Sequence, residues 1–416
     1  MSRSGVRRTG GRAAILLAAL WVSPALAHGN RFSISTVSIA PDDPDAWWAN
    51  ANGWGVVRTD DAGATWAWRC EESIGTISVF DLLALDGGQA VLATADGLLR
   101  VGSGCGADPV DGLPAGAQAT GLARGTSGYY SSIYLDGSGG LYRCDTDVSD
   151  GAAPCVATQL QGPYVKSLRV VSTGAGADRV YVTTVDVDTL AAALQVSDDG
   201  VTFRSVYSWP DGDVDPHLLY AGPGGNGDRL LVWRLPRSAA TAPTLLFSDD
   251  GGRTFAEVFS DGQYTDPLPG IAVSGETVWL GSDVGRTWRS LDGGRHFFEV
   301  SDAEPAVRCS DRSGGRLIVC ADHFADGFDV GVWDGAQRWS GAGCLDGAEV
   351  DACGADTCEP YHDAFMTAGA YGGGACYAEP TDEGRGCGDA SGAVVAPWLL
   401  LLGRRRRRPT PRTRAP

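Results

Sequence analysis

The 416 residues suffice for one large domain or two to three ordinary ones, and 59 glycines, 21 prolines and only two methionines favour turn-rich β structure over helix bundles. Hydrophobic residues at 43% supply a core and exclude wholesale disorder. Eleven arginines sit in two terminal segments, between Arg3 and Arg12 and between Arg404 and Arg414, so 22 basic residues are left to face 51 acidic ones; so acidic a body repels phosphate backbones and argues against a nucleic-acid partner.

Residues 3 to 12 carry four arginines, residues 13 to 22 (AAILLAALWV) are apolar, and Ala25-Leu26-Ala27 places small residues where a signal peptidase reads. This predicts a secretory signal peptide over residues 1–27, cut after Ala27. The apolar run is about half of the ~20 residues a spanning helix needs.

The strongest signal is internal repetition. Thr59 to Trp66 (TDDAGATW), Ser248 to Phe255 (SDDGGRTF) and Ser290 to Phe297 (SLDGGRHF) share the template S/T-x-D-x-G-x-T-aromatic, with His296 replacing the Thr in the third. Val196 to Phe203 (VSDDGVTF) reads as a fourth copy lacking the first hydroxyl. In each octad the Asp is expected to accept turn N–H groups, the Gly to take positive φ, and the aromatic to pack beneath the turn. The residues so assigned are Asp61, Gly63 and Trp66; Asp198, Gly200 and Phe203; Asp250, Gly252 and Phe255; and Asp292, Gly294 and Phe297. Degenerate copies at Gly97 to Val101, Gly140 to Cys144 and Gly331 to Gly335 bring the number of units to seven.

Each unit also carries apolar strands upstream of its hairpin. Four short strands in roughly 40 to 50 residues is the pattern of a propeller blade, so the prediction is an all-β, seven-bladed β-propeller over residues 30–341. Either terminal segment could close the ring. The octads resemble the Asp-box (BNR repeat) of sialidase-like, xyloglucanase-like and sortilin-like propellers.

Eleven cysteines in an exported chain read as disulfides. Cys144 with Cys155 and Cys309 with Cys320 are expected to pair within blades, leaving Cys70 to Cys105. Cys344, Cys353, Cys358 and Cys376 crowd a segment poor in periodic apolar residues, so residues 342–388 read as a small disulfide-stapled module or linker. Zinc on this segment with His362 is disfavoured, because the flanking gaps offer no second ligand pair. No metal or cofactor is expected. Acidic stretches such as Asp211 to Asp215 and Asp186 to Asp188 read as solvated loops rather than calcium sites.

Residues 389–416 hold a ten-residue apolar stretch, Ala393 to Leu402, running into Arg404 to Arg408. Its arginines would stay on the cytoplasmic side of the inner membrane. Cys387, the odd cysteine, lies just upstream in a Gly-rich setting. The order Gly/Cys motif, apolar segment, Arg cluster resembles the C-terminal sorting signals of myxobacterial surface proteins. That resemblance implies a transient inner-membrane anchor, cleavage near Cys387 by a processing protease, and a final address at the cell surface or outer membrane.

Ligand sites in such propellers are expected on the face opposite the octad turns, where Glu71-Glu72, Trp209 to Pro216, Tyr264 to Pro269, Asp302 to Pro305 and Asp322 to Asp329 offer carboxylates and aromatics. His217, His296 and His323 are general-base candidates by residue type alone. No G-x-S-x-G, H-E-x-x-H or phosphate-binding loop is present, and Asn30-Arg31-Phe32-Ser33 does not match the sialidase F/Y-R-I-P segment. The expected function is therefore a surface-displayed binding or assembly module for glycan or protein ligands. The alternative is a glycoside hydrolase of sialidase-like or xyloglucanase-like type.

Overall fold

The computed structural model describes residues 34–367, apart from 77, 103, 147–154, 174–176, 210, 211, 213, 239–240, 261–268, 283–285, 301–303, 314, 322–325, 327, 334, 336–338 and 344–347. The signal segment with Ala27, the residues Arg31, His323, Cys344, Cys376 and Cys387, and the sorting segment lie outside the described residues.

The chain is a seven-bladed β-propeller. Seven antiparallel sheets follow one another in sequence order, each built from four consecutive strands. The innermost strands are Ile34–Ile39, Val79–Ala84, Gln118–Arg124, Tyr164–Ser172, Val214–Pro223, Gly270–Ser274 and Cys309–Ser313. The outermost are Ala67–Arg69, Ala107–Pro109, Val156–Gly162, Arg204–Trp209, Ala256–Ser260, Phe298–Glu299 and Trp339–Gly343.

The core lies between blades rather than inside any one of them. Among the described residues the buried apolar side chains fall into seven clusters, each joining two neighbouring blades. The second strand of blade 5, Asp228–Pro236, shows why its sequence reads as a continuous apolar run. Leu230 and Val232 point into the cluster shared with blade 4, whereas Leu231 and Trp233 point into the one shared with blade 6. A strand buried on both faces needs apolar residues at every position. Trp233 is fully buried, and burying a side chain of this size stabilises the fold by about 1.5–3 kcal/mol or more.

The octad turns sit beside the turn joining the first two strands of a blade. The Gly251 N–H donates to Asp228 O at 3.0 Å, Gly293 to Glu276 O at 2.8 Å and Ala62 to Asp45 O at 2.9 Å. Within the turns the hydroxyl donates to the Asp (Thr59 to Asp61, 2.7 Å; Ser248 to Asp250, 2.8 Å; Ser290 to Asp292, 2.7 Å). The Asp in turn accepts the position-seven N–H, from Thr65 at 2.8 Å, Thr254 at 3.1 Å and His296 at 3.0 Å. His296 Nδ1 lies 2.5 Å from Asp292 Oδ2, where the other octads place the Thr hydroxyl. Gly252, at φ 84°, is needed twice, because a Cβ there would also run into Leu194 of blade 4.

One octad assignment changes. In blade 4 the carboxylate that holds the turn is Asp199, not Asp198: it accepts the Ser197 hydroxyl at 2.8 Å and the N–H groups of Val201 at 2.8 Å and Thr202 at 2.6 Å. This turn is one residue shorter than the others, so the hydroxyl is present as Ser197, and Asp198 faces Arg179 and Arg204 instead. Two of the octad aromatics also touch the preceding blade. Phe255 stacks edge-on against Tyr207 of the preceding blade at 5.0 Å, and Phe297 against Phe259 at 5.8 Å.

Cys144–Cys155 and Cys309–Cys320 form as expected. The pairing of Cys70 with Cys105 does not. Cys70 bonds Cys358 and Cys105 bonds Cys353, which also excludes zinc on Cys353 and Cys358. The reason is ring closure. Among the described residues no strand is exchanged between the first and last blades; instead the chain leaves blade 7 and adds Glu349–Val350 as a fifth, parallel strand on Ala67–Arg69. It then continues into the helix Ala355–Thr367. The two disulfides fasten this clasp to blades 1 and 2, and Ala348 and Cys358 join the core shared by blades 1 and 7. His362, on the same helix, packs against Trp68 with ring centroids 5.7 Å apart, and its Nε2 lies 3.0 Å from Ala348 O.

Four disulfides mark an extracellular or exported protein. Among the described residues no helix is long and apolar enough to cross a membrane.

Candidate ligand-binding face

The inner strands of blades 1 to 4 each carry a β-bulge, read from the register shifts between Ile34 and Thr36, Val79 and Asp81, Ser132 and Ile133 of the strand opposite, and Val165 and Ser167. The extra residues are Ser35, Phe80, Thr120 and Lys166. A bulge re-aims its side chain; here the four lie beside the central channel, near the end of the strands opposite the octad turns. Phe80 is 47% exposed there, unusual for a large apolar side chain on an innermost strand.

Lys166, the one lysine of the chain, reaches across to blade 5. Its Nζ lies 2.8 Å from Asp215 Oδ2 and 5.1 Å from the centre of the Tyr164 ring. Tyr134 meets Tyr164 edge-on at 5.4 Å. His217 Nε2 is 3.6 Å from the same Asp215 oxygen. Burial pushes the Asp215 carboxyl up, but His217 and Lys166 outweigh it and hold the group below the ordinary carboxylate range. The other oxygen, Oδ1, is buried and has no hydrogen-bond partner among the described residues. Together these residues present a cation, an ionised carboxylate, an imidazole and aromatic rings.

Deeper in the channel, inner-strand side chains tie blades together through backbone groups. Asp81 accepts the Leu122 N–H at 2.8 Å, Asp311 the Ile39 N–H at 2.7 Å, and Ser167 the Leu218 N–H at 2.6 Å. Arg124 donates to Ala84 O and Ile39 O, and Arg169 to Leu219 O. Burial pushes Asp81 and Asp311 up and Arg124 and Arg169 down. With their hydrogen bonds spent on backbone, these groups serve the ring.

The structure gathers only part of what the sequence nominated. Of Trp209 to Pro216, Asp215 stands at the channel mouth with His217 beside it; residues 210, 211 and 213 lie outside the described residues. Glu71 and Glu72 instead open a short helix, Glu71–Ile74. Glu304 binds Trp279 Nε1 at 2.6 Å and pairs with Arg289. Asp186 caps its own turn, accepting the Thr189 N–H and hydroxyl at 2.8 Å each. Residues 264–268 and 322–325 lie outside the described residues. Among the described residues no group of three or more His, Cys, Asp or Glu is arranged to hold a metal. Lys166, Tyr164, Tyr134 and Phe80 were not singled out by sequence. The signal available was the lone lysine inside an inner strand of an arginine-rich chain.

No protein-family model matches the chain, and no curated protein matches it. Among solved structures the propeller is similar to an S511A mutant of puromycin hydrolase complexed with PGG, at 14% identity and a TM-score of 0.52, over 78% of this chain and 56% of the hydrolase. It is also similar to YCF48 bound to D1 peptide (16%, TM-score 0.45, 70% of this chain and 91% of that one) and to a GH74 enzyme of Niastella koreensis (13%, TM-score 0.33, 76% and 55%). The chain thus spans little more than half the length of the hydrolase. At these identities the likeness concerns the fold alone.

Proposed function

We propose that the protein is an exported propeller of the Asp-box class that binds a glycan or protein ligand at the channel mouth opposite the octad turns, as a surface-displayed binding or assembly module. The observation that carries this reading is the juxtaposition of Lys166, Asp215 and His217 with Tyr164; Phe80 is exposed on the inner strand of blade 2. Charged donors and acceptors next to aromatic surface suit sugar rings and peptide segments alike. Residues 1–27 would direct export. Residues 389–416 would anchor the chain in the inner membrane until cleavage near Cys387 releases it to the outer surface.

The binding reading is tested on a glycan array and by pull-down from envelope extracts, with Lys166→Ala and Asp215→Ala at unchanged melting temperature. Binding that survives both variants refutes the channel mouth as the site, and turnover of a bound glycan would establish the hydrolase alternative instead. The address is tested by mass spectrometry of surface protein: a C-terminal peptide ending in Ala415-Pro416 would refute the processing.

A further inference from the structure

The four disulfides among the described residues differ in access. Cys70 and Cys358 are 2% and 0% exposed, Cys144 and Cys155 1% and 3%, and Cys320, the partner of half-buried Cys309, 0%. Cys105 stands apart. It is exposed, on the third-to-fourth strand turn of blade 2, and its partner Cys353 is half-buried. Gly104 beside it borders open space.

We propose that Cys105–Cys353 is a thiol–disulfide exchange site, through which an external thiol attaches covalently to the propeller rim. An incoming thiolate attacks Cys105 Sγ, the bond to Cys353 breaks, and the electron pair leaves on Cys353 as a thiolate. One disulfide is lost and one mixed disulfide forms, so no oxidant or reductant is consumed. Access selects Cys105 as the sulfur attacked. Cys353 is the better leaving group because it lies two residues ahead of the helix Ala355–Thr367, whose N-terminal partial positive charge favours a thiolate. Asp351 is near enough to oppose this, accepting the Cys353 N–H at 2.8 Å, but Arg69 stands 3.0 Å from its other oxygen and offsets its charge.

Exchange leaves the ring closed. The clasp is still held by the buried Cys70–Cys358 bond and by the pairing of Glu349–Val350 with Ala67 and Trp68. The outcome is a folded propeller carrying its partner on Cys105. This site lies on other elements than the channel mouth and does not depend on the binding reading.

The experiment treats the full oxidised chain with reduced glutathione under native conditions, quenches with an alkylating reagent and maps the peptides. Glutathione is expected on Cys105 and the alkyl group on Cys353, with this pair opening at least tenfold faster than the other three. Earlier opening of Cys309–Cys320 or Cys144–Cys155, glutathione on Cys353, or simultaneous opening of all four pairs would overturn the proposal. A Cys353→Ser variant, verified as folded by its melting curve, is expected to capture glutathione from its disulfide at Cys105. Failure to capture it would also overturn the proposal.

Discussion

Arg179 Nη1 lies 3.0 Å from Asp228 Oδ2, joining the second strand of blade 4 to the first turn of blade 5. Asp228 also accepts the Tyr181 hydroxyl at 2.9 Å, and hydrogen bonds to Asp198 and Asp228 hold the Arg179 guanidinium above its ordinary pKa. The relationship recurs around the ring. Arg229 of blade 5 donates to Gly275 O at 2.8 Å and pairs with Glu276 of blade 6, and Arg316 of blade 7 does the same with Pro44 O and Asp45 of blade 1. Each arginine begins a second strand and latches its blade to the next.

Asp228 is largely buried, so Asp228→Ala is expected to cost about 1.5–3 kcal/mol, the range for hydrogen bonds to charged groups. Chemical denaturation checks this. A double-mutant cycle with Arg179→Ala should show a coupling well above that of exposed pairs, and additive single effects would sink the latch.

The shortened octad of blade 4 separates two adjacent aspartates by role. Asp199→Ala removes the acceptor for two turn N–H groups and should cost about 0.5–2 kcal/mol, by analogy with a lost helix cap. Asp198→Ala removes pairs with Arg179 and Arg204 that are more than one-third exposed and should cost less. Melting curves of the two variants decide, and the reverse order would restore Asp198 as the turn residue. Asp250→Ala should match Asp199→Ala and leave ligand affinity unchanged.

The octad carboxylates also give stability a pH dependence. Slight burial pushes Asp61, Asp250 and Asp292 up, but turn hydrogen bonds outweigh it and hold all three below the ordinary range; for Asp199 the Thr202 and Val201 N–H groups come first. Carboxylates depressed in the folded state contribute stability that is complete above the unfolded value near about 4 and is lost as pH falls through the lower folded values. Stability should therefore drop below about pH 4. Asp250→Asn should lose more relative to wild type at pH 6 than at pH 3, as read by urea unfolding. A difference that does not change with pH would contradict the assignment.

The disulfides should rank by the loops they close. Cys70–Cys358 spans 288 residues and Cys144–Cys155 only 11. Removing the first as Cys70→Ala/Cys358→Ala should cost about 2–5 kcal/mol, by loop-closure entropy more than removing the second. Equal losses would mean that the clasp holds without its covalent bond.

The repeat was legible because its physics is local. Three octads place hydroxyl, Asp, Gly and aromatic at fixed offsets, and short apolar runs lie upstream of each, as strands buried between blades require. Cys144–Cys155 and Cys309–Cys320 were legible for the same reason, each closing a hairpin of 11 residues. The blade 4 octad was misread by one position because a turn one residue shorter keeps the residue types and moves their roles, which only the hydrogen bonds reveal. What the tertiary structure alone decided lies between blades. Lys166 meets Asp215 across 49 positions of sequence, and Cys70 meets Cys358 because the ring returns residue 358 to the first blade. Sequence patterning specifies which face of a strand is buried; which neighbour it is buried against is set when seven blades close into a circle.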